Sequence, residues 1–239
     1  MEVAPRGRFT DRARFRWWRT WKDARTTGLD ILVTYADNSW LGELKKAMRI
    51  AMLGWGSLLW EGGPEFDEQH EPWQYDGPEL KIEFSRVSSS RLGALTLVID
   101  DQYGSPTTVA WCLSKRQSIE DGICDLRSRE GTTVENVGRI RLDEQHSLPM
   151  SPPAARNSII VWARDKKLDA VIWTALRSNF ASAAKQPSIS ADASIAYVKT
   201  LSAAGKAKAA EYVWRAPDFV RTPVRSALQQ EPWFAKPSG

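Results

Sequence analysis

The sequence has no long uninterrupted run of apolar residues, and its N-terminus lacks the apolar segment of a secretory signal peptide. A helix that crosses a bilayer needs about 20 mostly apolar residues. We therefore expect no membrane span and no export by the signal-peptide route, which leaves the cytoplasm as the expected location. With 239 residues, of which 42% are hydrophobic, the chain is long enough to bury a core.

Cysteine and histidine are also scarce, with two of each. Neither Cys112 nor Cys124 belongs to a CxxC pair or has a histidine at ligand spacing, so we expect both to be small buried apolar residues. His70 and His146 lie in polar, acidic segments far apart in the sequence, and we expect both at the surface. The sequence therefore predicts no metal site and no Ser-His triad.

The first 47 residues are locally basic and aromatic, although the net charge of the whole chain is only +4. Basic side chains that alternate with aromatic rings can bind phosphates and stack on bases. The residues are Arg6, Arg8, Arg12, Arg14, Arg16, Arg19, Lys22 and Arg25, with Phe15, Trp17, Trp18 and Trp21.

Three interpretations of this segment stay open. It is a nucleic-acid-binding arm, an arm that packs on the protein or binds another partner, or an upstream extension without a catalytic role. In the last case the natural start is Met48, directly before the first expected strand. We accordingly divide the sequence into a basic arm of a kind that is often poorly ordered, residues 1–47, and a domain, residues 48–239.

One acidic residue stands where a helix is expected to present its apolar face. Ile119, Ile123 and Leu126 recur at steps of four and three, and the next step of four falls on Glu130. Gly131 follows, as expected of a residue that ends a helix in the left-handed conformation. A carboxyl group half removed from water has a raised pKa and is suited to exchange protons near neutral pH. Glu130 is therefore a candidate base, and the alternative is a frayed last turn in which it is simply solvated.

A glycine turn follows the first expected strand, residues 49–53. Two glycines around one aromatic residue let the backbone turn tightly and present successive N–H groups to an anion or a carbonyl oxygen. The third glycine and the basic residue of nucleotide-binding loops are missing, so nucleotide folds are disfavoured. The signal is weak alone, because a glycine after a strand is often only a turn. The residues of this turn are Gly54, Trp55, Gly56, Ser57 and Leu58.

Together, GWGSLLW at the turn and DLRSREG at residues 125–131 resemble motifs of the gamma-glutamyl cyclotransferase superfamily, especially its ChaC-type branch. Three segments between them, residues 80–87, 94–99 and 108–113, look like strands of that family's barrel. The resemblance covers roughly residues 49–140. It implies an α+β fold, a small mixed β-barrel of the gamma-glutamyl cyclotransferase-like type with flanking helices.

The resemblance implies an enzyme that converts a gamma-glutamyl amine or peptide, such as glutathione, to 5-oxoproline and a free amine. It implies that Glu130 is the acid/base, that Gly54, Trp55, Gly56, Ser57 and Leu58 bind the substrate, and that no cofactor is needed. The alpha-amine of such a substrate is its own nucleophile, so no nucleophile of the protein is needed. The protein must supply a side chain that accepts and returns a proton, and hydrogen-bond donors for the oxyanion. It must also hold the substrate in a curled conformation. The alternative is a non-catalytic or repurposed barrel that binds a small anion or nucleic acid.

The chain departs from the family pattern at several positions. Trp55 replaces the usual tyrosine and lacks its hydroxyl, and Leu58 replaces an asparagine of the small-cyclotransferase branch. Residues 88–95 only partly match a Ser-x-x-His-Arg-Gly segment of the ChaC-type branch, because they contain Arg91 but no histidine. Arg91 is a candidate for binding a substrate carboxylate, and a solvated hairpin arginine is the alternative. Glu61 is close enough to the turn to contact substrate.

Beyond Arg141 the sequence predicts a linker and then more strands. Residues 143–157 are rich in proline and polar side chains, which is typical of a loop. Residues 158–163 and 170–174 have the apolar, β-branched composition of two further strands.

The last part of the chain has helical patterns. Residues 188–210 contain two of them, with Gly205 as the expected break. Thr222 and Pro223 are typical of a helix start, with Thr222 as the cap. We expect these helices to brace or cover the barrel.

Overall fold

The computed structural model describes residues 47–143 and 153–237. In this part of the chain the strands are β1 (Ile50–Gly54), β2 (Glu79–Ser88), β3 (Ala94–Ile99), β4 (Ser105–Thr108), β5 (Ala110–Leu113), β6 (Val137–Arg141) and β7 (Ala170–Thr174). The α-helices are α1 (Pro64–Asp67), α2 (Ile119–Glu130), α3 (Pro153–Asp165), α4 (Phe180–Ala183), α5 (Ala191–Thr200), α6 (Ala203–Arg215) and α7 (Pro223–Gln230). The expected α+β class is confirmed.

The strands pair into two open sheets. A mixed sheet has the order β5-β1-β7-β6, and an antiparallel sheet has the order β3-β2-β4. β1 pairs antiparallel with β5 and parallel with β7, and all of its residues are buried. The glycine turn is therefore anchored to an interior strand. The strands expected at residues 49–53, 80–87, 94–99 and 170–174 are confirmed as β1, β2, β3 and β7.

The segment expected as a single strand, residues 108–113, is divided between the two sheets. β4 ends at Thr108 and pairs with β2, whereas β5 pairs with β1. Between them, the N–H of Val109 donates to the carbonyl of Pro78 at 3.2 Å, and its carbonyl accepts the N–H of Gly77 at 3.0 Å. The composition of a strand does not reveal its partner, so this crossing between the sheets could not be predicted from the sequence.

Residues 158–163, expected as a strand, belong instead to helix α3. The buried residues of α3 are Ala155, Ile159 and Ala163, which recur at the helical step of four. α3 already begins at Pro153, so the end of the expected linker is helical as well. A short apolar run is compatible with either structure, and the step of four from Ala155 through Ile159 to Ala163 is what indicates the helix.

Two helices are present where residues 188–210 predict them, but the break is not at Gly205. α5 ends at Thr200 and α6 begins at Ala203, with Ser202 as its cap. The Ser202 side chain accepts the N–H of Gly205 at 3.1 Å and so satisfies a free donor of the first helical turn. Gly205 lies inside α6, where a Cβ would come within 2.7 Å of the Leu92 carbonyl oxygen.

Two helix starts and one helix end follow the signals in the sequence. The side chain of Ser118 caps α2 by accepting the N–H of Asp121 at 3.2 Å. α2 ends at Gly131, whose φ of 58° is in the left-handed region that glycine tolerates. Thr222 caps α7, and Pro223 is its first residue, as expected.

The expectations for cysteine and histidine are only partly confirmed. Cys112 is buried in β5, but Cys124 is exposed on α2, because its position is not on the helix face that carries Ile123. His70 is buried rather than at the surface, and its ring contacts two aromatic side chains. His146 lies outside the described residues.

The expectations for the basic arm and for residues 144–152 also fall outside the described residues. Among the helices of residues 47–143 and 153–237, none is both long enough and apolar enough to cross a bilayer. The position of the domain boundary stays a prediction.

Candidate active site

Glu130 is the last residue of α2, and only 16% of its side chain is exposed. The buried face of the helix, which includes Ile123 and Leu126, brings Glu130 to the protein side rather than the solvent side. Glu130 is therefore not a simply solvated end residue. Burial raises the pKa of Glu130, and the charge and hydrogen bond of Arg129 oppose this effect without cancelling it.

Arg129 connects Glu130 to the glycine turn. Its Nη1 donates to Glu130 Oε1 at 2.8 Å, while its Nη2 donates to the carbonyl oxygens of Ser57 at 2.8 Å and Glu61 at 2.9 Å. The Arg129 side chain is itself only 8% exposed. Because the guanidinium is rigid and planar, one side chain fixes the acid relative to the turn.

The glycine turn continues into a short 3₁₀ segment, Ser57–Leu59. The segment is closed by the N–H groups of Leu59, Trp60 and Glu61, which donate to the carbonyls of Gly56 and Ser57. These bonds do not use the N–H groups of residues 55–58. The backbone of Ser57 hydrogen-bonds the Tyr212 hydroxyl, so the N–H groups of Trp55, Gly56 and Leu58 remain as candidates for the anion or oxyanion site that the sequence predicts here.

Gly56 is required by a close approach of α6. A Cβ at this position would come within 2.5 Å of the Tyr212 hydroxyl oxygen, a distance that carbon and oxygen atoms do not tolerate. Trp55 and Leu58, the two large side chains of the turn, are each only 5% exposed. The indole N–H of Trp55 donates to the Leu97 carbonyl at 3.4 Å. The turn is thus held by packing on both sides.

Glu130 and the glycine turn line one cavity of about 300 Å³. This volume is at the lower end of the range for small-molecule sites. All the site residues expected from the sequence border it, namely Gly54, Trp55, Gly56, Ser57, Leu58, Arg91 and Glu130. The structure thus brings together residues that the sequence separates widely.

Arg91 borders this cavity but is not a solvated hairpin arginine. Its Nη2 pairs with Glu61 Oε2, its side chain is 21% exposed, and its guanidinium lies 5.0 Å from the centre of the Tyr212 ring. Partial burial opposes ionisation of Glu61, but the hydrogen bond and charge of Arg91 outweigh it and lower the pKa of Glu61. A substrate carboxylate would have to compete with Glu61 for Arg91.

The two carboxyl groups of the cavity therefore differ in proton affinity. Arg91 holds Glu61 in the ionised form, whereas burial shifts Glu130 toward the neutral form. Opposite shifts of neighbouring acids are a common arrangement where one carboxyl group exchanges protons and the other stays charged. Glu130 is the group of the pair that is suited to proton transfer.

Tyr212 is a residue of the site that the sequence did not single out. It is buried, and burial raises the pKa of Tyr212 to about 12, against hydrogen bonds from the backbone of Leu97 and of Ser57. Its hydroxyl group therefore keeps its proton and lies at the glycine turn. An aromatic residue on the apolar face of a helix usually indicates core packing, so the sequence carried no signal for this contact.

The described residues contain no cluster of side chains that resembles a metal site. Within residues 47–143 and 153–237, no three His, Cys, Asp or Glu side chains are grouped as metal ligands would be.

No protein-family model matches the chain, and no match is found among curated proteins or among solved structures.

Proposed function

We propose that the protein is a gamma-glutamyl cyclotransferase, which converts a gamma-glutamyl amine or peptide to 5-oxoproline and a free amine. The observation that supports this most directly is that Glu130, a carboxyl group with a raised pKa, shares a cavity with the glycine turn. The resemblance of both motifs to the family points to the same reaction. We also propose that the two sheets correspond to the small mixed barrel of that family.

The first step is a proton transfer followed by ring closure. The ionised carboxylate of Glu130 accepts a proton from the alpha-ammonium group of the substrate. The free amine then attacks the gamma-carbonyl carbon, a C–N bond forms, and the carbonyl oxygen becomes an oxyanion. The cavity contributes by holding the glutamyl chain curled, since its two ends rarely meet in solution.

The second step releases the amine. N–H groups of the turn stabilise the oxyanion, and the protonated Tyr212 hydroxyl lies at the same turn. When the carbonyl re-forms, the original C–N bond breaks and Glu130 returns its proton to the leaving nitrogen. The second proton of the ring nitrogen passes to the released amine, which leaves as an ammonium ion. The protons balance within the substrate and Glu130, so this mechanism needs no cofactor.

Replacing Glu130 with glutamine tests the proposal, because it preserves the shape but removes the proton acceptor. We expect the Glu130→Gln variant to lose about 100-fold to 10,000-fold in the rate of 5-oxoproline release from glutathione or another gamma-glutamyl compound. The matched control is Glu120→Gln on the exposed side of α2, which should retain the rate. Equal rates for wild type and Glu130→Gln, or no 5-oxoproline from any gamma-glutamyl compound, would contradict the proposal.

A second candidate is a non-catalytic fold that binds a small anion. The three arginines that line the cavity, Arg86, Arg91 and Arg129, favour it. This function predicts anion binding without 5-oxoproline release, so the same assay separates it from the enzyme.

Nucleic-acid binding by residues 1–47 stays a prediction, and a gel shift with and without this arm at increasing salt tests it.

A further inference from the structure

A groove of about 900 Å³, which we call the α6 groove, is lined by helix α6 and by residues 233–237. It shares no lining residue with the cavity that contains Glu130. Its apolar lining includes alanines of α6 and the ring of Trp214. Trp233 and Leu92 also line it, and they are 36% and 55% exposed. A contiguous apolar surface with large exposed side chains typically marks an interaction site.

The charged residues that line the α6 groove are predominantly basic. They are four cations and a single anion, namely Lys206, Lys208, Arg215, Lys236 and Glu211. Glu211 pairs with Lys208 and Arg215. In the part of the chain that the structure describes, Lys206 and Lys236 form no ion pair. The groove therefore carries an excess of positive charge, which favours an acidic partner.

A segment of opposite charge, residues 65–71, follows the glycine turn, and we call it the acidic segment. The side chains of Glu65, Asp67, Glu68 and Glu71 in it are all exposed. Among the described residues, no cation pairs with the carboxylates of Glu65, Glu68 or Glu71. Exposed acidic side chains are usually only solvated, so charge alone does not make this segment a binding surface. Its position relative to the groove gives the further reason.

The acidic segment begins close to the α6 groove. Arg215, which lines the groove, has its Cζ 5.9 Å from the centre of the Trp60 ring. Its Nη2 also donates to the Trp60 carbonyl oxygen at 3.5 Å. The acidic segment starts at Glu65, five residues after Trp60, and five residues span at most about 18 Å. The two oppositely charged surfaces are therefore neighbours on the protein.

Within one copy of the chain these two surfaces do not neutralise each other, because no ion pair joins them in the described residues. A second copy carries an acidic segment of the required charge. Because the groove and the segment are neighbours, a two-fold axis can place each acidic segment over the groove of the other copy. Both contacts of such a dimer are identical, as in other symmetric dimers.

We propose that the α6 groove binds the acidic segment of a second copy of this chain, so that the protein forms a symmetric dimer through two reciprocal contacts. The apolar lining supplies area from which water is removed, and the charges determine the orientation of the two copies. This surface is separate from the cavity that contains Glu130. The inference therefore does not depend on the cyclotransferase reaction.

Charge reversal on either surface tests this contact in the full chain, with the mass measured by sedimentation. We expect wild type to be a dimer whose dissociation constant rises about tenfold or more between about 0.05 M and 0.5 M NaCl, because salt screens the contact. Lys206→Glu with Lys236→Glu makes the groove acidic, and Glu68→Lys with Glu71→Lys makes the segment basic. Each double variant should weaken self-association about 100-fold, because like charges then face each other.

Mixing the two double variants separates pairing of these surfaces from a general effect of charge. In the mixed dimer one contact has the original charges and the other has them exchanged, so both contacts attract. An equimolar mixture should therefore form a one-to-one dimer at a concentration at which each variant alone is monomeric. The control is Lys81→Glu with Arg164→Glu, which reverses two exposed cations outside the groove and should dimerise as wild type does.

Several results would overturn the proposal. One is a wild-type dissociation constant weaker than about 1 mM at low salt. Another is a dimer that the groove variant forms as tightly as the control. A mixture of the two reversed variants that stays monomeric would also contradict the pairing. Circular dichroism verifies folding, and if the groove variant does not fold, Lys236→Glu alone replaces it and should weaken the dimer about tenfold.

Poly-L-glutamate distinguishes a second copy from a different acidic partner. If wild type stays monomeric but binds poly-L-glutamate, and the groove variant does not bind it, the groove accepts a foreign acidic segment and the second-copy proposal is wrong. If wild type dimerises and poly-L-glutamate dissociates the dimer, the proposed contact is supported.

Discussion

Arg129 and Glu130 are consecutive residues of α2, yet their side chains form an ion pair with 2.8 Å between Nη1 and Oε1. Consecutive positions on a helix normally point in different directions. Here the helix ends at Gly131, and the Arg129 side chain turns back to bind the carbonyl groups of Ser57 and Glu61 as well. The acid and the turn are therefore positioned by the same side chain, and several measurable consequences follow from this arrangement and from its surroundings.

Replacing Arg129 with glutamine should change both the rate and its pH dependence. The positive charge of Arg129 lowers the pKa of Glu130, so its loss lets burial raise that pKa further. Glu130 acts as a base when ionised, and the acidic limb of kcat/KM should therefore move to higher pH. We expect kcat to fall about tenfold to 100-fold because the turn loses its tether. Arg127→Gln is the control, and an unmoved limb would contradict this role.

Introducing a methyl group at position 56 should disturb the turn through Tyr212. The new Cβ would lie 2.5 Å from the Tyr212 hydroxyl oxygen, so Gly56→Ala should destabilise the protein by about 1–3 kcal/mol, as overpacking does. Tyr212→Phe removes that oxygen. The double variant should therefore recover part of the stability in urea unfolding, and a purely additive double variant would show that the clash lies elsewhere.

A buried acid outside the cavity should make stability depend on pH. Glu83 in β2 is 2% exposed and accepts hydrogen bonds from Thr222 Oγ1 at 2.6 Å and from the N–H of Phe84 at 2.7 Å. Burial nevertheless raises the pKa of Glu83 from its ordinary value of 4.5 to about 7. Below the unfolded value the carboxyl group is protonated in both states, so the stability it contributes is fully present there. As the pH rises through 7, the folded state loses that contribution.

Glu83→Gln should therefore change the pH dependence of unfolding. Relative to the variant, wild type should lose about 3 kcal/mol in the free energy of unfolding between pH 4.5 and pH 8. Urea unfolding at several pH values measures this difference, in which titrations shared by both proteins cancel. Glu79→Gln, at an exposed position of the same strand, should follow wild type. Parallel curves for wild type and Glu83→Gln would rule out this titration.

The two cysteines should react differently with a thiol reagent. Cys124 is exposed on α2, whereas Cys112 is buried in β5, where burial raises the pKa of its thiol and disfavours the reactive thiolate. We expect one thiol per chain to react rapidly with a disulfide reagent in the native protein and two in denaturant. Cys124→Ser should abolish the rapid phase, and rapid reaction of Cys112 would show that β5 opens readily.

Local signals were sufficient to predict α2 and the glycine turn. The spacing of Ile119, Ile123 and Leu126 determines which face of the helix is buried, and Gly131 marks its end. Both features depend on residues within a few positions of each other. For the same reason, burial of Glu130 could be anticipated without knowing what lies above it.

Contacts between distant segments could not be predicted in this way. Nothing near Arg91 in the sequence shows that Glu61 would neutralise it, and nothing near Tyr212 shows that its hydroxyl group reaches the turn. Arg86 is one of several arginines in the chain, and within the described residues it is the one of the three cavity arginines that has no acidic partner. An arginine's charge can be seen in a sequence, whereas its neutralisation depends on the fold.

The central position of β1 also constrains when the cavity can form during translation. β1 leaves the ribosome early, but one of its two neighbours, β7, begins only at Ala170, and Tyr212 of α6 follows later still. Until then the strand has an open edge, and the nascent chain has no complete pocket. A polypeptide released after β6 would therefore expose an apolar strand edge, the kind of surface that chaperones bind and that promotes aggregation.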